Sequence, residues 1–185
     1  MAYDIVVLQV DQFPAFAAYM NDHLCDNGIG NTSLFQPLAA VDCRFDGDRA
    51  ERFRSALSTA TDGPGWRRAW VAMSDAGRIV GHVDLRDHPL PYTRHRCLLG
   101  MGVDRNRRGT GLGRQLLDTA TQWAAEQGWI DWIDLQVIAS NAPAVRLYEK
   151  AGFVQTGSTA DLFRFDQRSV DFDSMSLRLK SPPDA

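Results

Sequence analysis

Arg108, Gly109, Gly111, Gly113 and Arg114 stand together in the run R-R-G-T-G-L-G-R, directly after an apolar segment ending at Val103 and directly before a helix-forming stretch. The chemistry such a turn supports is anion binding. A helix N-terminus leaves backbone N–H groups unpaired and carries partial positive charge. Glycine allows close backbone approach and positive φ, and arginine adds charge-assisted hydrogen bonds to phosphate. Two common phosphate motifs fail on spacing. No lysine completes a G-x-x-x-x-G-K-[ST] loop, and Arg114 stands where a G-x-G-x-x-G fingerprint begun at Gly109 needs its last glycine.

A second group lies in N-A-P-A-V-R-L-Y-E-K-A-G-F, from Asn141 to Phe153. Asn141 is a good N-cap, Pro143 fits a first helical turn, and Gly152 can end the helix in a left-handed conformation. Tyr148 sits inside this short helix. A phenol with an ordinary pKa of about 10 is protonated at neutral pH and can donate to a leaving anion; on physics alone the better reading is a packed core aromatic.

The pattern R-x-x-G-x-G of Arg108, Gly111 and Gly113, followed by the Asn141 to Phe153 block, resembles the GCN5-related N-acetyltransferase (GNAT) family. Specific motifs lie between 95 and 153, while the general resemblance runs from Ile5 to Leu179. It implies an α/β (α+β) fold: a single domain over 1–180 with a mixed, mostly antiparallel sheet, splayed at a cofactor cleft and flanked by helices. Acetyl-CoA is the implied co-substrate. Backbone groups of Met101, Gly102 and Val103 would meet its pantetheine arm, with Gly100 and Gly102 allowing close approach. Arg108, Gly109, Thr110, Gly111, Leu112, Gly113 and Arg114 would hold the pyrophosphate, and Asn141 and Ala144 would contact the cofactor from the second block. One departure is Arg105, where relatives often carry proline.

The implied reaction is direct transfer of acetyl to a primary amine of a small molecule, amino acid or peptide N-terminus in a ternary complex, with Tyr148 as general acid. His95, at the start of the strand leading to Val103, is the expected general base. Asp84, Asp87, His82 and His88 are rivals, and no metal-ligand spacing is present. Neutralising an α-amine at pH 7 costs about 1.4 kcal/mol, against about 4.6 for a lysine amine, so a weak base favours α-amines. A non-catalytic acyl-CoA-binding sensor on the same fold is the alternative, and a nucleotide binder a more distant one.

These residues need elements to position them. Ile5 to Val10 reads as a strand, Phe13 to Leu24 as a helix, 26 to 36 as a polar loop, and 47 to 60 as a helix with an Ala50, Phe53, Ala56, Leu57 stripe. Strands follow over 67 to 73, 78 to 85 and 97 to 103. A long helix from Leu112 buries Leu116, Leu117, Ala120, Trp123 and Ala124 and stops at Gly128. After a strand from Trp132 to Ile138 and the Asn141 helix, residues 153 to 165 and 170 to 179 form a hairpin around a polar turn, and 181 to 185 are a tail.

Composition fits one globular domain: 185 residues, 44% hydrophobic and 23% charged. A net charge of −3 argues against a broad basic surface for nucleic acid. Cys25, Cys43 and Cys97 form no C-x-x-C spacing, and the apolar run near the N-terminus is too short for a secretory or membrane segment. The Asn31-Thr32-Ser33 sequon matters only in a secreted chain. A cytoplasmic setting without membrane association is expected, with a homodimer left open. Asp22, Asp26 and Asp161 are candidates for attracting a cationic acceptor.

Overall fold

The computed structural model describes residues 3–179; the expected tail at 181–185 and the domain limit at 180 lie outside the described residues. In chain order the elements are β1 (Asp4–Val7), α1 (Phe13–Leu24), α2 (Gly47–Leu57), β2 (Arg67–Met73), β3 (Ile79–Asp87), β4 (Arg96–Val103), α3 (Leu112–Glu126), β5 (Trp132–Ile138), α4 (Ala142–Lys150), β6 (Val154–Phe165) and β7 (Arg168–Arg178). The strands form one seven-stranded sheet in the order β1-β2-β3-β4-β5-β7-β6. Every neighbouring pair is antiparallel except β4 and β5. The fold is therefore the expected mixed, mostly antiparallel sheet.

The parallel pair is short. Arg96, Cys97 and Leu98 register with Trp132, Ile133 and Asp134, and there the pairing stops. β4 continues to Val103 with β3 on one side and no strand on the other, while β5 turns to β7. An unpaired strand edge is a row of free hydrogen-bonding groups. This divergence opens the cleft.

Strand alternation divides the core. On one face α1 and α2 cover Ala69 and Val71 with Phe13, Phe16, Leu24, Phe45 and Phe53. On the other, α3 packs Leu112, Leu116, Leu117 and Ala120 against Leu85, Cys97 and Ile133. Phe16 is fully buried among the rings of Phe13, Phe45, Phe53 and Tyr19.

Several boundaries differ from the sequence expectation, and β3 runs on to Asp87, two residues past the expected 85. β1 ends at Val7, because after Leu8 donates to the Ala69 carbonyl the chain enters a single 3₁₀ turn over Val10–Gln12, closed by the Gln9 amide donating to Gln12 Oε1. α2 stops at Leu57, short of residue 60. The hairpin turn is tighter than four residues: Asp166 and Gln167 take φ of 48° and 59°, and β7 starts at Arg168. Two successive left-handed residues form the turn whose twist matches a two-residue hairpin.

Candidate active site

The splay between β4 and β5 forms a cleft of about 980 Å³, lined by β3, β4, the β4–α3 loop, α4 and residues of α1 and α2. At one end stands the glycine- and arginine-rich loop. Gly109 and Gly111 take φ of 74° and 87°, and Gly111 caps α3. This left-handed pair turns the backbone so that, among the described residues, the amides from Arg108 to Gly113 find no hydrogen-bond acceptor. Unpartnered amides at a helix N-terminus, with Arg107, Arg108, Arg114, Arg146 and Lys150 on the same cleft lining, fit a polyanionic ligand such as a pyrophosphate.

The structure sorts the expected cofactor residues by location. Met101, Gly102, Val103, Arg108, Gly109, Gly111, Gly113, Arg114, Asn141 and Ala144 line the cleft. Thr110 and Leu112 do not. Thr110 Oγ1 donates to the Arg107 carbonyl at 2.7 Å, and the Leu112 side chain is wholly buried in the α3 core, so these positions offer only backbone groups. Gly113 is helical; a Cβ there would lie 3.1 Å from Leu147 Cδ2, so its role is the close packing of α3 on α4. Arg108 Nε donates to the Val103 carbonyl at 3.2 Å, and its guanidinium lies over Phe35 and pairs with Asp26 at 3.3 Å. Arg114 is held by Asp118 and the Lys150 carbonyl.

Asn141 caps α4 by accepting from the Ala144 amide, and Tyr148, about two helix turns further on, lines the cleft. Its ring packs against Phe153, burial pushes its phenol well above the ordinary range, and its hydroxyl has no hydrogen-bond partner among the described residues. Tyr148 thus presents a protonated, uncommitted O–H.

His95 does not reach this cleft. It is exposed in the turn before β4, where its carbonyl accepts from the Asp131 and Trp132 amides. The cleft opens only beyond Leu98, so the start of the strand lies on the wrong side of the splay. Of the rivals, Asp87 and His88 are likewise outside the lining, whereas His82 and Asp84 are on it. His82 is joined by His23, a residue the sequence reading passed over. Its signal was a polar side chain on the α1 stripe of Phe16, Tyr19 and Met20.

Both imidazoles crowd the one glycine that gives them room. A Cβ on Gly102 would lie 2.5 Å from His23 Nε2 and 2.7 Å from His82 Cε1. Tyr19 O–H donates to the Gly102 carbonyl at 3.2 Å, so its oxygen accepts from His82 Nδ1 at 3.1 Å. That assignment leaves His82 Nε2 with the lone pair. Burial, above all, lowers both histidines to about 3, with each facing further positive charge: His82 and Arg108 for His23, Arg67 for His82. Both are neutral at pH 7. His23 Nδ1 is buried without a hydrogen-bond partner among the described residues.

Further along the same sheet face, Asp84 Oδ1 accepts from Arg67 and from Arg86, the latter at 3.3 Å, while Oδ2 faces Gly100. The acidic residues expected to draw a cationic acceptor are engaged elsewhere: Asp22 and Asp26 by Arg105, and Asp161 by Arg164. Cys97 is buried with its thiol pushed well up by burial and directed at the Trp132 carbonyl, which leaves no activated nucleophile there. Among the described residues no group of three or more His, Cys, Asp or Glu is arranged to hold a metal ion, and no helix is long and apolar enough to cross a membrane.

Comparison with known proteins places this geometry in context. A family model described as "Acetyltransferase (GNAT) family" matches residues 38–153. The chain is 31% identical over 101 residues to the L-amino acid N-acetyltransferase AaaT of Escherichia coli, covering 52% of this chain and 59% of that protein. It is 33% identical over 96 residues to the probable N-acetyltransferase family 8 member 5 of Mus musculus, covering 50% and 41%. The chain thus spans about half the length of the curated relatives it matches. Among solved structures, a GNAT-family acetyltransferase from Streptococcus pneumoniae superposes with a TM-score of 0.77 at 22% identity, covering 96% of this chain and 99% of that one. The yncA acetyltransferase of Salmonella typhimurium, solved with acetyl-CoA, gives 0.74 at 20% identity, covering 100% and 99%. At these identities the structures speak for the fold.

Proposed function

The chain belongs to the acetyltransferase (GNAT) family, and on that premise we propose that it transfers acetyl from acetyl-CoA to a primary amine of a small molecule, amino acid or peptide N-terminus. The single observation that carries the reading is the cleft's continuity: an anion-binding loop at one end, an unpaired β4 edge along it, and an uncommitted phenol and neutral imidazoles beyond. The named relatives are acetyltransferases, which favours catalysis over a sensor role.

Arg108 and the amides from Gly109 to Gly113 hold the pyrophosphate, and Met101, Gly102 and Val103 line the arm along the β4 edge. Acetyl-CoA supplies the thioester, whose C–S bond breaks as the amine nitrogen forms the amide. Tyr148 O–H gives its proton to the departing sulfur and is restored by the proton the amine loses. In place of His95, neutral His82 presents Nε2 as the hydrogen-bond acceptor that orients the amine lone pair, with His23 closing the same wall. A peptide-type α-amine is neutral at pH 7 at a cost of only about 1.4 kcal/mol, so it can bind as the free amine without giving a proton to the imidazole. Transfer is direct, since Cys97 is sealed from the cleft.

Initial rates with both substrates varied, combined with mass spectrometry of the product, test this reading. An intersecting kinetic pattern and one acetylated amine per thiol released are expected. A parallel-line pattern, or thiol release independent of amine, contradicts it.

A further inference from the structure

We propose that the acceptor is a free amino acid: an amine with a carboxylate on the neighbouring carbon, whose carboxylate is bound by Arg67 and whose amine lies between Asp84 Oδ2 and the His82 imidazole that orients it. The inference rests on the transferase reading above and narrows its acceptor. It comes from the end of the cleft opposite the phosphate loop. There Arg49 and Arg52 of α2, Arg67 of β2 and Arg86 of β3 line the wall, and Asp84 is the one acidic residue on the whole lining among the described residues.

The two sheet arginines, Arg67 and Arg86, are too far away to serve the pyrophosphate. Arg67 registers with Arg86 and Arg86 with Leu98, whereas the phosphate loop follows Val103. At about 3.3 Å per residue, those strand positions lie roughly 16 Å apart along β4. Asp84 offsets one of the four charges and both neutral histidines offset none. A purely cationic acceptor, such as a polyamine, would enter against net positive charge, while an acceptor carrying an anion is drawn in.

Arg67 is the residue built for that anion. It is largely buried, its guanidinium lies 4.1 Å from the centroid of the Phe53 ring, and one edge is fixed by Asp84. Its Nε is buried and has no hydrogen-bond partner among the described residues. Leaving a buried charged donor unpaired is costly, so a group that completes it binds with that energy in hand. A carboxylate against Arg67 Nε places a neighbouring amine beside Asp84, whose free oxygen faces Gly100, where the missing side chain leaves space over the β4 edge. A peptide N-terminus has an amide carbonyl in place of this carboxylate, and a plain alkylamine has nothing.

The test uses the full chain, acetyl-CoA and matched acceptors: apolar and acidic L-amino acids, each beside its own α-carboxamide and its decarboxylated amine, with spermidine as a polycation. The amide has the less basic amine, so intrinsic reactivity favours it, and preference for the acid therefore reports recognition. Expected is a kcat/KM at least tenfold higher for the free acid, expressed mainly in KM. In Arg67→Gln the acid-to-amide ratio falls toward one through KM, whereas in Tyr148→Phe both substrates lose kcat and the ratio stays. Turnover of amides, amines or spermidine at or above the free acids overturns the acceptor assignment and leaves the transferase reading intact. Absence of amine-dependent thiol release from every acceptor overturns both. The wild-type comparison decides the matter even if Arg67→Gln does not fold.

Discussion

Gly102 concentrates the site's geometry in one absent side chain. Its neighbours His23, His82 and Tyr19 come from two other elements, and the space they share exists only because no Cβ fills it. Gly102→Ala is expected to displace both imidazoles, costing about 1–3 kcal/mol of stability as an overpacking change and lowering kcat/KM more than it lowers the melting temperature. Denaturant titration beside acceptor kinetics checks this. The histidines also carry a pH dependence. Their folded values of about 3 lie below the ordinary 6.5, so the unfolded chain binds more protons in that window. Stability is fully present above pH 6.5 and is lost as pH falls through the window, by about 1.4 kcal/mol per pH unit for each histidine. Denaturation midpoints at pH 7.5, 6 and 5 should fall accordingly, and His82→Gln should flatten the dependence.

At the scale of elements, the β4–α3 loop and the α1–α2 layer do separate work. The loop presents unpartnered amides and arginines to an anion, so Arg108→Ala should raise the Kd for coenzyme A about tenfold, the loss of one charged hydrogen bond of about 1.5 kcal/mol. The salt dependence of Kd should weaken with it, as calorimetry at two ionic strengths would show. The α1–α2 layer holds His23 and the arginine-bearing wall through a cluster of aromatic rings. Phe16→Ala, at its centre, is expected to cost about 3–5 kcal/mol and to be read as a lowered unfolding midpoint. The elements themselves were largely written in the sequence. α1, β2 and β5 have the expected limits, because a 3.6-residue stripe and short β-rich runs between breakers are local signals. The hairpin turn was less legible, since Asp166 and Gln167 adopt a left-handed pair without glycine.

Across the whole molecule, the part of the candidate site proposed to hold the cofactor lies in contiguous segments and is legible in the sequence, whereas the part assembled from distant segments is not. Arg108 to Gly113 and Asn141 to Tyr148 each carry their geometry within a loop and the start of a helix. His23, Arg67, His82 and Asp84 meet through the pairing of β2, β3 and β4 and the seat of α1 across them. No spacing encodes such a meeting. His95 shows the cost of reading position along the chain alone: it lies in the turn just before β4, whereas the splay begins past Leu98, and the side chains that face Gly102 inside the cleft are His23 and His82. One continuous cleft joins the two halves, and the central claim is that Tyr148 spans them by protonating the thiolate that forms at their junction.

Steady-state thiol release with saturating acetyl-CoA and amine, comparing wild type with Tyr148→Phe, tests that claim most directly. The account predicts amine-dependent release by the wild type and a kcat lowered about 100-fold in the variant, the contribution of a positioned acid, with little change in acetyl-CoA affinity or melting temperature. Undiminished turnover in a folded Tyr148→Phe would contradict it.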